Sequence, residues 1–219
     1  MSPRRFADRR DAGRVLSERL AATARENVVV LGLPRGGVVV AAEVAAVLAA
    51  PLDVLVVRKL GLPWQPELAM GAIAAVGDVV ETVRTDAVLA RVHVDEDTFA
   101  AVRDRELTEL RRREAAYRGE RPVVPLTGRD VLLVDDGLAT GSTMRAAVVA
   151  VRRSAPHRIT VAVPIGSPTA VAALQPDVDE LVCLLAPRSF GAVGEGYVDF
   201  TATGDEEVCA ALARATGMS

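Results

Sequence analysis

Residues 131–144 read VLLVDDGLATGSTM, and this stretch decides the fold. Val131 to Val134 is an uninterrupted apolar run, the pattern of a strand buried on both faces. Asp135 and Asp136 follow at once, and GLATGST then leads into a helical pattern. From Ser142 to Arg153, Met144, Ala147, Val148 and Val151 fall at i, i+3, i+4 and i+7, the apolar face of a helix. Ligands of open α/β sheets bind at the carboxyl ends of such strands, which is where this turn lies.

Two charges at the mouth of a buried strand are costly unless something engages them. Small residues at Gly137, Ala139, Thr140, Gly141 and Ser142 let the backbone wrap an anion, with N–H groups and the positive end of the helix dipole directed inward. Thr140, Ser142 and Thr143 add hydroxyl donors, each contributing roughly 1.5 to 3 kcal/mol toward a charged partner. A phosphate monoester suits this turn, yet the acids upstream would repel it unless they face a non-anionic part of the same ligand. Vicinal sugar hydroxyls meet that condition, so the stretch describes a ribose 5-phosphate cradle. It is not a P-loop, because no Lys precedes the hydroxyl pair.

Similar apolar runs recur at 28–31 (VVVL), 54–57 (VLVV), 160–163 (TVAV) and 181–185 (LVCLL), with helical patterns from Asp8 to Arg25 and from Val38 to Ala49. Strands alternating with helices predict an α/β fold, a doubly wound and mostly parallel sheet flanked by helices. The roughly 70 residues between the second and third runs exceed a plain crossover. Within this insertion, about 60–122, AIAAVGDVVETV (72–83) predicts a hairpin around Gly77 and Asp78, and Asp95 to Arg118 predicts one long helix whose interspersed charges suit a solvated face. A small hood is expected at about 186–200. The 219 residues are expected to form one domain.

Twenty-six basic against 29 acidic residues leave a net charge of −3, so no global field attracts nucleic acid or an anionic membrane. No apolar segment has the length of a membrane span or signal peptide, and a cytoplasmic location is expected. Cys183 and Cys209 sit in apolar runs without metal-ligand spacing and read as core residues. His93 and His157 stand far apart, leaving little material for a zinc site or a Ser-His-Asp triad. A dinucleotide-binding site fits poorly, since no GxGxxG follows the first strand.

The motif VLLVDDGLATGSTM resembles the signature of type I phosphoribosyltransferases, enzymes that use phosphoribosyl pyrophosphate. The resemblance implies that Asp135 and Asp136 bind the ribose hydroxyls, Asp136 the more directly, and that Ala139, Thr140, Gly141, Ser142 and Thr143 hold the 5-phosphate. GLPRGGVVVAAEV after the first strand resembles the family's pyrophosphate loop, with Gly32, Gly36 and Gly37 for close backbone approach and Arg35 as a charged donor. Arg58 and Lys59, read as standing at the end of VLVV, correspond to basic residues that help hold pyrophosphate, with magnesium shared between diphosphate and sugar oxygens; a solvated strand end is the other reading. Residues 60–70, LGLPWQPELAM, read as a loop outside the sheet that resembles the family's mobile lid, or as a static loop with Trp64 packed on a neighbour.

In the segment APRSFGAVGEGYVDF (186–200), Phe190 is either a stacking platform for the acceptor base, as the resemblance to purine enzymes implies, or a packing residue. The pattern of PRGG, RKLGLP, PELAMGAIA, DDGLATGST, VPIGSP and FGAVGEGYVDF also resembles a little-characterised phosphoribosyltransferase-like branch over residues 5–210. Enzymes for 6-oxopurines carry an Asp base where this chain has Ala139, so no general base is assigned. The function expected is transfer of ribosyl 5-phosphate to a nitrogenous small-molecule acceptor with release of pyrophosphate, with a sensor of the same ligand as the alternative. No nucleic acid or membrane partner is expected, and the reading leaves room for a homodimer.

Overall fold

The computed structural model describes residues 5–22, 27–76 and 79–216. The core elements are α1 (Arg9–Ala21), β1 (Val28–Gly32), α2 (Gly36–Leu48) and β2 (Leu52–Val54). The chain then leaves the core for β3 (Val57–Leu62), β4 (Gln65–Val76), β5 (Val79–Arg84), a short α3 (Asp86–Leu89) and the long α4 (Glu96–Arg118). It returns through β6 (Asp130–Val134), α5 (Ser142–Arg153), β7 (Arg158–Ile165), α6 (Pro168–Leu174), β8 (Glu180–Leu185) and α7 (Asp205–Thr216).

Five strands form a parallel sheet in the order β2-β1-β6-β7-β8. Alternate residues serve opposite faces, as a pleated strand requires. Val30, Leu132 and Val134 pack with Leu16, Val40 and Val44 of α1 and α2, whereas Val29, Leu31, Val131 and Leu133 pack with Met144, Ala147 and Val151 of α5. Each such side chain contributes roughly 1.5 to 3 kcal/mol by leaving water. The run LVCLL departs from burial on both faces: β8 is an edge strand, and only Val182 within it is buried.

Helix starts follow the chemistry of their caps. Asp8 accepts from the Asp11 amide at the head of α1, Asp95 from Thr98 at the head of α4, and Ser167 from Ala170 at the head of α6. The helix expected from Asp8 is described to its C-cap Ala22, and Arg25 falls outside the described residues. Among the described residues, no helix is long and apolar enough to cross a membrane.

Two expectations between β2 and β6 are corrected. VLVV is not one strand: β2 ends at Val54, Leu55 and Val56 are buried in the turn out of the core sheet, and β3 starts at Val57. Arg58 and Lys59 therefore lie inside β3, in an antiparallel sheet of order β3-β4-β5, and not at the tip of a core strand. Nor is 60–70 a loop: Leu62 pairs with Gln65 across a tight turn at Pro63 and Trp64. The Gly and Pro residues that read as loop punctuation sit at that turn and at an irregularity where Gly61 passes against the Pro66 backbone, places where a sheet tolerates them. Leu60, Leu62 and Met70 are buried, and Trp64 is 60% exposed. The pairing Val76↔Val79 closes the expected second hairpin, whose turn residues Gly77 and Asp78 lie outside the described residues.

The antiparallel sheet packs on α5, and α4 returns the chain to the core through a buried charge network. Arg118 donates through Nη1 to Glu114 (2.6 Å) and through Nε to Asp53 (3.2 Å), and all three residues are at most 9% exposed. Removing Arg118 would leave Asp53 charged and desolvated with, among the described residues, only the Val54 and Val124 amides as donors, while Glu114 keeps Arg111 (2.7 Å). Arg118→Met is expected to destabilise the fold by about 3 kcal/mol or more, read as a lower urea midpoint, because a broken buried pair costs more than its formation contributes.

Candidate functional site

β1 is bordered by β2, reached through α2, and on its other side by β6, so the chain leaves β1 in both directions and a crevice opens at the carboxyl ends of β1 and β6. The two tips are stitched together by the Leu33 amide donating to the Val134 carbonyl (2.9 Å). In the turn after β1 the Pro34–Arg35 peptide is cis. A Cβ on Gly37 would lie 2.7 Å from Asp135 Cα, and one on Gly36 would overlap Asp136 Oδ2. Glycine at these positions is what lets the β1 turn lie flat against the acidic pair.

Asp135 and Asp136 thus line the crevice, both half-buried. Asp135 Oδ1 accepts from the Asp136 amide (2.8 Å), and Asp136 Oδ2 accepts from Arg9 Nε (2.8 Å). Burial, and then the neighbouring Asp136 charge, push the Asp135 carboxyl well above the usual carboxylate range. Burial also raises Asp136, while the hydrogen bond and charge of Arg9 pull it back. Two acids so placed are prepared for hydroxyl donors or a cation.

The turn after them carries Ala139 and Thr140 on the surface, with Thr140 Oγ1 3.1 Å from Ser142 Oγ. Its middle is clamped, since Leu138 donates to Ile165 and accepts from Ser167. Gly141 adopts φ +78°, a conformation that favours glycine, and α5 begins on it with no side-chain cap and no acidic residue in its first turn. Ser142 is exposed and Thr143 half-buried at that turn. This is the local arrangement of an anion site at a helix N-terminus.

The remaining expected residues spread wider. Arg35 is exposed beside the crevice, 3.9 Å from Asp205. Arg58 turns to α4, where its Nε donates to Glu106 (2.9 Å), and Lys59 is exposed. Phe190 is half-buried against the cluster of Phe6, Ala12, Ile165 and Tyr197, the packing role weighed for it. Cys183 and Cys209 are free thiols, and burial pushes Cys183 up to about 11. Among the described residues, no group of three or more His, Cys, Asp or Glu could hold a metal ion.

Three residues that sequence reasoning passed over complete the site. Arg9, counted in the sequence only among the basic residues, reaches Asp136, donates through Nη1 to the Thr201 carbonyl (2.7 Å) and stacks over Phe200 at 3.9 Å. Tyr197 donates its hydroxyl to the Asp136 carbonyl (2.6 Å). The aromatic spacing of GYVDF is the one available signal, and the reading singled out Phe190 instead. Phe6 pairs with Tyr197, and its backbone bonds to Gly196 and Val198, so the N-terminal segment and residues 196–199 cover the acids jointly.

A family model described as "Phosphoribosyl transferase domain" matches residues 8–197. A Mycobacterium tuberculosis protein named "Putative phosphoribosyl transferase Rv0571c" is 52% identical over 210 residues, 96% of this chain and 47% of that protein. The chain spans about half the length of the curated relatives it matches. The crystal structure of TT1426 from Thermus thermophilus is 47% identical, with a TM-score of 0.83 over 96% of this chain and 98% of that one. A hypothetical protein from Neisseria gonorrhoeae, crystallised with bound ppGpp, shares the fold at 13% identity, with a TM-score of 0.51 over 96% of each chain.

The raised Asp135 carboxyl carries a stability signature. A carboxyl whose folded pKa exceeds its unfolded value leaves stability intact below about pH 4 and erodes it as pH rises toward the folded value. Asp135→Asn keeps an acceptor for the Asp136 amide and removes that cost. The variant is expected to melt higher than wild type at neutral pH, by about 2 to 4 °C per kcal/mol relieved, with the gain vanishing near pH 4. Calorimetric melts across pH check this.

Proposed function

This chain belongs to the phosphoribosyl transferase family, and we propose that it binds phosphoribosyl pyrophosphate with magnesium and transfers the ribosyl 5-phosphate to a nitrogenous acceptor, releasing pyrophosphate. The observation that carries this reading is the contact between the two strand tips: Gly36 and Gly37 lie against Asp136 and Asp135, and the small-residue turn into α5 follows directly. One ligand with a diphosphate, vicinal hydroxyls and a monophosphate suits all three features.

Asp135 and Asp136 accept the ribose O–H groups, and both carboxyls, raised by burial, gain from a donor-rich partner. The turn 139–143 receives the 5-phosphate, and the backbone around Gly36 and Gly37 with Arg35 receives the diphosphate. The residues also fit a magnesium ion: this cation takes one or two carboxylates and completes its shell with substrate phosphates and water, so a two-acid crevice suffices without an all-protein cage. When bound, it would neutralise charge on the departing diphosphate. Positioning and charge stabilisation supply the remaining catalysis, since no side chain is assigned as a base.

A second reading is a nucleotide sensor without turnover. Ala139 at the position of the 6-oxopurine enzymes' base argues against that acceptor class, and the ppGpp-bound fold neighbour is compatible with a sensor. The two readings diverge when the protein is incubated with labelled phosphoribosyl pyrophosphate, magnesium and a panel of purines, pyrimidines and amines. Pyrophosphate release with any one acceptor establishes the transferase, and binding without release favours the sensor. Asp136→Asn is expected to weaken binding tenfold or more, the scale of a lost hydrogen bond to a charged group; unchanged affinity contradicts the ribose assignment.

Lys59 is the only lysine in the chain, so its ε-amine is singly addressable. If it contacts the diphosphate, pyrophosphate with magnesium slows modification of that amine by an amine-reactive label. Equal labelling with and without pyrophosphate removes Lys59 from the site.

A further inference from the structure

Arg9 is placed unlike an ordinary surface arginine. It projects from the first turn of α1, its side chain is 11% exposed, and its guanidinium is fixed on three sides: by Asp136 Oδ2, by the Thr201 carbonyl and by the face of Phe200. A Cβ on Gly36 would meet Arg9 Nε at 2.5 Å as well as Asp136, so the ion pair lies directly on the turn proposed to take the diphosphate. The contact commits Oδ2 of Asp136 and turns that carboxylate toward Gly36.

We infer that Arg9 is a positioning residue for the ribose-binding acid: its guanidinium holds Asp136 by one oxygen, keeps the other for a sugar hydroxyl, and couples that carboxylate to the segment ending at Phe200. This rests on the functional reading above. A planar fork is needed, because one guanidinium serves Asp136 and Thr201 at once while stacking, and a lysine ammonium cannot meet all three demands. The groups facing Asp136 are Arg9 from α1, Asp135 from its own turn and the Tyr197 hydroxyl on its carbonyl. Arg9 is the only cation among these three groups.

The test is calorimetric titration of wild type, Arg9→Gln and Arg9→Lys with phosphoribosyl pyrophosphate plus magnesium and, separately, with pyrophosphate plus magnesium, which offers no sugar hydroxyl. Arg9→Gln is expected to bind phosphoribosyl pyrophosphate about tenfold more weakly than wild type with a much smaller loss for pyrophosphate; Arg9→Lys, which keeps the charge and loses the fork, should be several-fold weaker for the sugar ligand. A merely structural role would lower both affinities together.

Equal losses for the two ligands in Arg9→Gln, or wild-type affinity in both variants, overturn the inference. Wild-type protein that binds no phosphoribosyl pyrophosphate overturns the functional reading, and the inference with it. Should Arg9→Gln fail to fold, Arg9→Lys decides: several-fold weaker binding supports the fork, and wild-type affinity sinks it.

Discussion

Two neighbouring carboxylates held out of bulk water are the constraint to which the surrounding structure answers. Asp135 and Asp136 are both raised by burial, and one aggravates the other. Each nearby feature can be read as a response: the amide and guanidinium that bond them, the tyrosine hydroxyl that satisfies the Asp136 carbonyl, and the glycines that let the β1 turn approach. Parallel pairing of β1 with β6 in register, Gly32 beside Val134, delivers the two turns to the same place. The site is therefore a product of sheet topology more than of any single loop.

The cover over this crevice comes from chain segments far apart in sequence. Residues 6–9 and 196–201 meet through a short parallel bridge, backbone hydrogen bonds and a stack of Phe6, Tyr197 and Phe200. Because the same tyrosine also reaches the Asp136 carbonyl, the order of the cover and the orientation of the acid are linked through one side chain. The clamping of Leu138 to β7 does for the turn into α5 what this cover does for the acids: it limits the positions the backbone can take.

Local chemistry made much of this legible before any coordinates. Strands β1, β6, β7 and β8 are apolar runs with polar punctuation, and α1, α2, α4 and α5 follow helical patterns in the sequence. The acidic pair and the turn after it could be read because their residue types are improbable in a buried context without a ligand. What escaped was long-range. Arg9 reaches Asp136 across 127 residues, and nothing local distinguishes it from its neighbours in an arginine run. Residues 60–70 misled because Gly and Pro were read as breaks, whereas tertiary pairing tolerates them at a bulge and a turn. The exit of the chain after Val54 into a second sheet likewise has no signature in the run VLVV.

The network of Asp53, Glu114 and Arg118 bears on how this architecture can change over evolutionary time. The antiparallel sheet and α4 look like a cassette between β2 and β6, parallel strands on either side of β1 that a shorter crossover would join. Yet Asp53 belongs to the core strand and its countercharge to the cassette. Excision would strand an ionised group in an apolar layer, so a shortened descendant would have to replace Asp53 in the same step. Gain or loss of this arm is in that sense a two-site event.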